Sequence, residues 1–213
     1  MQQRARIRLG IFCLLASGIL TVIGLYLRGP IIDQVTHTDA YVAGALASTH
    51  VYAWSLLIPS LVIQCFGWIA LWAYVKDTPQ EGLAFWGMVL SIIGNGLFLP
   101  FTGVIAFVSP AVAQLYIEGL PAAIGIVNSG LAGSFALPFL ILSALTLLIG
   151  AILHSIVLWK SSLLPTWTAL PYLWHALALT FIAPLSYAAE FSGGVCLLLT
   201  TAAITLNVWR QTK

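Results

Sequence analysis

The chain alternates between long apolar runs and short polar segments. Six runs are long enough to cross the roughly 30 Å hydrocarbon core of a bilayer as helices, at about 1.5 Å per residue. Backbone groups in lipid must be satisfied inside each segment, so such runs form helices and not open strands. The pattern predicts one all-α domain, residues 1–213, with six transmembrane helices at approximately 9–27, 51–75, 82–108, 131–159, 164–183 and 192–208.

The second run shows the pattern most clearly. Residues 50–75 contain no Asp, Glu, Lys or Arg. They include a proline, Pro59, in the outer half and a lone amide, Gln64, near the middle. Other spans repeat the proline at a similar depth or supply a polar side chain near the middle. We expect any binding site to lie at this level of the bundle.

The basic residues give the six spans an orientation. Arg28 falls on one side of the predicted bundle, and the other seven basic residues fall on the opposite side: Arg4, Arg6, Arg8, Lys76, Lys160, Arg210 and Lys213. Cytoplasmic loops carry the excess of Lys and Arg, so both termini are predicted to be cytoplasmic. The expected location is the cell's inner (plasma) membrane, as a multi-pass integral protein.

Composition agrees with a membrane protein. The chain is 61% hydrophobic and only 7% charged, against about 25% charged residues in soluble domains. Lipid must therefore serve as most of its solvent. The net charge of +2 comes from scattered residues, which gives no basic patch for nucleic acid. The first apolar run continues to Leu27, too long for a cleaved signal peptide, so we interpret it as a retained span.

Aromatic residues cluster near the predicted interfaces. Tyrosines lie towards the outer ends, and tryptophans towards the cytoplasmic ends at positions 68, 72, 86, 159, 167 and 209. Such belts are typical of membrane proteins. The two long outer connections, residues 28–49 and 109–130, are too apolar for free loops. Each is predicted to contain a short helix that lies in the interface or folds over the bundle.

The connection after the fourth span has a recognisable pattern. Ser161, Leu163, Leu164, Pro165 and Trp167 form a Ser-x-Leu-Leu-Pro-x-Trp sequence. With the Arg-Gly-Pro that follows the first span, this chain resembles a broad group of bacterial six-helix membrane proteins that form a domain-of-unknown-function family. Members often have a basic residue where this chain has Thr166. The resemblance implies a six-helix fold and brings no assigned activity.

Five polar residues fall near the middle of the predicted membrane. Gln64, Asn95 and His175 each lie about 16–21 Å from the cytoplasmic boundary, counted along their helices. Ser91 is one turn from Asn95, and Ser143 is near mid-depth on the fourth span. Polar groups are costly in lipid, so we expect these side chains to face the bundle interior. They could form interhelical hydrogen bonds or contact a ligand, and the sequence leaves both possibilities open.

Three prolines lie at a second level. Pro59, Pro100 and Pro138 fall about seven to nine residues below the outer ends of the second, third and fourth predicted spans. An internal proline removes a backbone hydrogen bond and favours a kink. Three kinks at one depth would splay the outer half into a cavity that opens outward. Proline is also common in transmembrane helices for other reasons.

The sequence gives little support for a known type of cofactor site. His154 and His175 do not fall at one depth, which disfavours a bis-histidine haem, and the sequence identifies no other cofactor. His37, Asp39 and His50 lack the dense spacing of a metal site. There is no zinc-protease motif and no glycine-rich phosphate loop. At the outer surface, Arg28 and Glu190 could pair and join the first and last spans.

The leading hypothesis is a non-enzymatic membrane protein that binds a small lipophilic or amphipathic ligand, with Gln64, Ser91, Asn95, Ser143 and His175 at the site. An accessory subunit of a larger membrane complex fits the same features. The alternatives are an intramembrane enzyme or cofactor carrier that uses His175, and a self-associating pore. The expected partners are the bilayer, a lipophilic ligand and further copies or other membrane proteins.

Overall fold

A computed structural model describes residues 2–211. The helices in this range are α1 Gln2–Arg28, α2 Thr38–Leu46, α3 Ser48–Val75, α4 Glu81–Gly103, α5 Ser109–Ile117, α6 Ile124–Ala132, α7 Ala136–Lys160, α8 Ala169–Leu177 and α9 Tyr187–Gln211. Two π-helical segments, Val104–Val108 and Ala178–Ile182, follow α4 and α8. Short 3-10 turns, Pro121–Ala123 and Thr166–Thr168, precede α6 and α8.

The architecture is an all-α bundle of the membrane type. Five helical stretches are long and apolar enough to cross a bilayer, and they correspond to α1, α3, α4 continued through α5, α7 and α9. The third extends to Ile117, beyond its predicted end at residue 108. The fourth begins at Ala136, five residues later than predicted. Its predicted first residues belong instead to α6 and the short connection after it.

The predicted fifth span has a different form. It consists of a three-residue 3-10 turn, the nine residues of α8 and a five-residue π-helical segment. The helix ends at Ile182, two residues before Pro184. Pro184 has no backbone N–H and cannot donate the next hydrogen bond of the helix, which favours an end at this point. The Thr180 hydroxyl also donates to the Ala176 carbonyl at 2.5 Å, a bond typical of serine and threonine inside helices.

The first and last helices are antiparallel along their whole length. At one end Arg28 pairs with Glu190. In the middle the Thr205 hydroxyl donates to the Ile11 carbonyl at 3.3 Å, and at the other end the Arg8 guanidinium lies 5.5 Å from the ring centroid of Trp209. The N-terminal part of α1 and the C-terminal part of α9 therefore lie at the same end of the bundle.

Small residues bring α4 and α7 into close contact. The Ser143 hydroxyl donates to the Gly94 carbonyl across the two helices at 2.8 Å. A Cβ atom on Gly150 would lie only 2.6 Å from the Ser91 hydroxyl oxygen, so any larger residue there would push the helices apart. Glycine and serine at a membrane helix interface allow this close backbone approach. The α4–α7 pair thus forms one firm wall of the bundle.

The outer connections fold into a cap. The short helices predicted in both connections are confirmed: α2 in the first, and α5 and α6 in the second. They share a small apolar core that includes Val42, Val112 and Val127. The chain leaves α1 through Gly29, whose φ of +70° suits glycine. In the loop that follows, the backbone N–H and then the hydroxyl of Thr36 donate to Asp33 and hold the pKa of its carboxyl below the usual value.

The prolines do not all act as predicted. Pro59 and Pro100 lie inside α3 and α4, as predicted. The prediction for Pro138 is wrong, since α7 begins at Ala136 and Pro138 lies in its first turn. A first-turn N–H has no partner inside the helix, so a proline there removes no hydrogen bond and causes no kink.

Candidate functional site

A cavity of about 520 Å³ lies between the long helices and reaches the outer cap. Side chains from α1, α3, α4, α7, α8 and α9 line it. Its walls are mainly apolar, with Leu25, Leu57, Phe98, Leu140 and Leu179 among the lining residues. Pockets of this volume with apolar walls and a few polar groups are the usual form of small-molecule sites.

The structure brings all the predicted polar residues together at this cavity. Gln64, Ser91, Asn95, Ser143 and His175 each line it, and each is less than 10% exposed. They come from four elements, α3, α4, α7 and α8, which all border this cavity. Whether they contact a ligand stays a prediction, but their common placement is a structural fact.

Part of this polar group joins the helices. The Asn95 amide donates to the Leu61 carbonyl at 3.2 Å and to the Gln64 side-chain oxygen at 3.3 Å, which ties α4 to α3. Ser143 ties α7 to α4 through the Gly94 carbonyl at 2.8 Å. The interhelical role that the sequence left open therefore applies to Asn95 and Ser143. These bonds also fix the positions of the cavity walls.

Other hydrogen-bonding groups of the residues that line the cavity do not join helices. Among residues 2–211, the Gln64 amide nitrogen donates no hydrogen bond, although its oxygen accepts one. The His175 Nδ1 atom is buried and has no hydrogen-bond partner of good geometry within this range. The Tyr172 side chain lines the cavity beside His175, with the two ring centroids 5.7 Å apart. The Gln64 amide nitrogen thus lies on a residue that lines the cavity and has no partner among the described residues, whereas the His175 Nδ1 atom is covered by protein atoms.

An aromatic cluster closes the deep end. Trp68 lines the cavity and stacks on the His154 ring, with centroids 4.2 Å apart and planes at 20°. Tyr172 meets the Trp68 ring edge-on at 5.2 Å. His154 is fully buried behind them, against the backbone of Gly87. Three helices, α3, α7 and α8, are joined through this cluster, which we call the aromatic floor (Trp68, His154 and Tyr172).

Sequence reasoning missed the aromatic floor. Trp68 was predicted to lie in the cytoplasmic aromatic belt, yet it is only 1% exposed, whereas Trp86 and Trp159 are 58% and 60% exposed. A signal was present. Trp68 follows Gln64 by one helical turn, and His175 follows Tyr172 by three residues, so each pair shares a helix face.

The outer end of the cavity is bounded by a buried ion pair. Arg28 pairs with Glu190, and their side chains are 12% and 4% exposed. The Tyr187 hydroxyl donates to the Leu25 carbonyl at 3.1 Å beside them. The predicted Arg28–Glu190 contact between the first and last helices is confirmed. Both residues line the cavity, and their opposite charges cancel. This pair therefore gives the cavity no net charge.

Irregular helix geometry shapes the outer wall. Ile105, in the first π-helical segment, and Leu179 and Thr180, in the second, all line the cavity. A π-helical turn shifts the backbone register, and the His50 side chain hydrogen-bonds to the Ile105 carbonyl at 3.0 Å. Such turns are frequent at functional sites. Here they occur in two of the helices that border the same cavity.

No metal centre is formed by the described part of the chain. Within residues 2–211, no three His, Cys, Asp or Glu side chains come close enough to share a metal ion. His154 and His175 both contact the Tyr172 ring, with centroid distances of 6.2 and 5.7 Å.

Fold and cavity together define a helical membrane protein with an internal pocket. Comparison with protein-family models, with curated proteins and with solved structures finds no match to this chain.

Proposed function

We propose that this protein binds a small lipophilic or amphipathic molecule in the cavity between its long helices. The observation that carries the proposal is the cavity itself, which has about 520 Å³ of space, apolar walls and a polar deep end. Its volume lies within the roughly 300–1,000 Å³ typical of ligand pockets. A binding role needs no activated nucleophile. The hydrogen bonds of Asn95 and Ser143 join neighbouring helices and so fix the walls of the cavity.

The proposed setting is the plasma membrane, with six crossings and both termini in the cytoplasm. The antiparallel contact of α1 with α9 supports an even number of crossings. The segment from the 3-10 turn at Thr166 to the π-helical turn at Ile182 would be the additional crossing. Seven of the eight basic residues then face the cytoplasm. The same plan is implied by the resemblance to bacterial six-helix membrane proteins.

Cysteine labelling on intact bacterial cells tests this topology. In a variant without the native cysteines, we expect a membrane-impermeant maleimide to label Asn128→Cys but not Ser162→Cys or Gln211→Cys, because only the first would face outward. All three sites are exposed in the structure. Permeabilised cells should label all three and serve as the control. Labelling of Gln211→Cys on intact cells would place the C-terminal end of α9 outside the cell and would contradict the proposal.

Filling the cavity tests the proposed binding. Ala144 lines the cavity on α7, and a phenylalanine there would occupy the space that a ligand needs. We expect native mass spectrometry to detect a co-purified lipophilic molecule on the unmodified protein. Its occupancy should fall about tenfold or more in Ala144→Phe, because the ring takes up the space of the ligand. A tenfold loss of affinity corresponds to about 1.4 kcal/mol of binding free energy.

The neighbouring residue supplies a matched control. Leu145 is 46% exposed on the outer face of the same helix, so Leu145→Phe adds an aromatic ring without entering the cavity. It should leave the bound molecule unchanged. Equal occupancy in the unmodified protein and both variants would show that the molecule is lipid on the outer surface. That result would overturn the proposed binding site.

A further inference from the structure

We propose that the ligand is a neutral amphiphile, whose hydroxyl- or carbonyl-bearing head lies at the deep end of the cavity and whose chain extends towards the outer cap. The inference rests on the proposed function and adds the class and direction of the ligand. Three features of the cavity carry it: the pairing of its charges, the depth of its unused polar groups and the apolar wall between those groups and the outer ion pair.

The charges exclude an ionised head. Arg28 and Glu190 are the charged side chains that line the cavity, and they pair with each other. An anionic or cationic head at the deep end would meet no opposite charge among the lining residues. Burying an ion without a partner is far more costly than burying a neutral hydrogen-bonding group.

Unused hydrogen-bonding groups place the head at the deep end. Gln64, Tyr172 and His175 line the cavity beside the aromatic floor. The Gln64 amide nitrogen donates no hydrogen bond within the described residues, while its oxygen is fixed by Asn95. A hydroxyl or carbonyl group at this position would give the amide a partner. Leaving buried donors and acceptors unpaired is unfavourable, so a head that pairs with them gains affinity.

The serine and threonine hydroxyls further out are already satisfied. The Tyr41 hydroxyl and Trp54 indole N–H, which lack a partner of good geometry among residues 2–211, are, like the His175 Nδ1 atom, covered by protein atoms. Ser60 donates to the Leu57 carbonyl at 2.6 Å, and Thr102 donates to the Leu99 carbonyl at 2.7 Å. Thr180 likewise donates to the Ala176 carbonyl at 2.5 Å. Leucine and phenylalanine side chains line the cavity together with them. The wall between the deep polar groups and the Arg28–Glu190 pair is thus mainly apolar and suits an alkyl or isoprenoid chain.

Probes with one chain and different heads test the inference. Monolauroylglycerol, laurate and dodecylamine share a twelve-carbon chain and carry a neutral, an anionic and a cationic head. Binding to purified, delipidated protein is measured for each, and binding to Ala144→Phe is subtracted as the non-cavity part. We expect monolauroylglycerol to bind at least tenfold more tightly than laurate or dodecylamine, because the cavity offers no partner for an ion.

Two variants locate the head. Gln64→Met keeps the side-chain shape and removes the amide, and His175→Leu removes the imidazole. Each should weaken monolauroylglycerol about three- to tenfold, the range expected for one lost hydrogen bond. Binding of dodecane, which has the chain without a head, should not change. Thermal unfolding of both variants is measured alongside, and whichever retains the unmodified transition is used for the comparison.

The outcomes separate this inference from the proposed function. Laurate or dodecylamine binding as tightly as monolauroylglycerol, and blocked by Ala144→Phe, would overturn the neutral-head assignment and leave the cavity as a binding site. Unchanged monolauroylglycerol binding in a folded Gln64→Met variant and a folded His175→Leu variant would overturn the deep placement of the head. If Ala144→Phe blocks none of the probes, the proposed function fails as well.

Discussion

Replacing Arg28 with methionine is expected to lower the free energy of unfolding by about 3–5 kcal/mol, the usual cost of removing one partner of a buried ion pair. The variant leaves the Glu190 carboxylate with only 4% of its side chain exposed and no positive charge beside it. A short side chain held inside the bundle cannot reach water by rearranging. Thermal or denaturant unfolding in detergent, followed by circular dichroism, measures the loss.

The reverse change should be milder. In Glu190→Gln the remaining charge is Arg28, whose long side chain at the end of α1 can extend to the membrane interface. We expect a loss of about 1.5–3 kcal/mol, the value of one hydrogen bond to a charged group. The double variant Arg28→Met and Glu190→Met should recover most of the stability, because an apolar pair can replace a buried ion pair. A double variant as unstable as Arg28→Met alone would contradict this explanation.

This ion pair links stability to the character of the cavity. It holds α1 against α9 at the outer end, and it neutralises the charged residues that border the pocket. A ligand therefore meets an opening with no net charge from this pair. The same contact that fixes the helix arrangement also favours an uncharged ligand, so variants of Arg28 and Glu190 should alter selectivity along with stability.

Depth along the bundle could be predicted from sequence. A transmembrane helix rises by a nearly constant distance per residue, so counting from the ends of the apolar runs places side chains at a level. This is why Gln64, Asn95 and His175 were predicted at one depth and now line one cavity. The positions of Arg28 and Glu190 at the outer ends of their helices followed from the same counting.

Rotation about each helix axis could not be predicted in the same way. An almost wholly apolar helix gives little contrast between the face that meets lipid and the face that meets neighbours. Trp68 and Trp86 both lie near the ends of α3 and α4 that are joined by residues 76–80, yet one is buried and the other is 58% exposed. Which tryptophan turns inward depends on packing against His154 and Tyr172, residues that are distant in sequence.

The sequence pattern also did not predict the helix ends or the π-helical turns. Residues 131–135 contain no charged residue and continue directly into the apolar span that follows, so the pattern could not divide α6 from α7 and misplaced Pro138. The π-helical turn at Val104–Val108 is accompanied by a bond from His50 to the Ile105 carbonyl, a contact between distant parts of the chain. Neither feature has a local signature, because both depend on what the neighbouring helices offer.

Replacing Trp68 with alanine is expected to lower the free energy of unfolding by about 3–5 kcal/mol, as large-to-small changes of a buried tryptophan do. The change removes the ring that stacks on His154 and meets Tyr172, so it separates α3 from α7 and α8 at the aromatic floor. The cavity would then extend beyond the aromatic floor, away from the outer cap. Denaturant unfolding in detergent measures the stability.

A tryptophan on the lipid face provides the comparison. Trp86 is 58% exposed and, like Trp68, lies within about two turns of the end of its helix. Trp86→Ala should cost less than about 1 kcal/mol, since it leaves no internal void. Trp68→Phe should recover part of the loss because a phenylalanine ring can still stack on His154. Equal losses in Trp68→Ala and Trp86→Ala would mean that the aromatic floor contributes no more than an interfacial anchor.

With the floor weakened, a ligand that depends on the deep polar groups should also bind less tightly, since Tyr172 packs against Trp68 on one side and against His175 on the other.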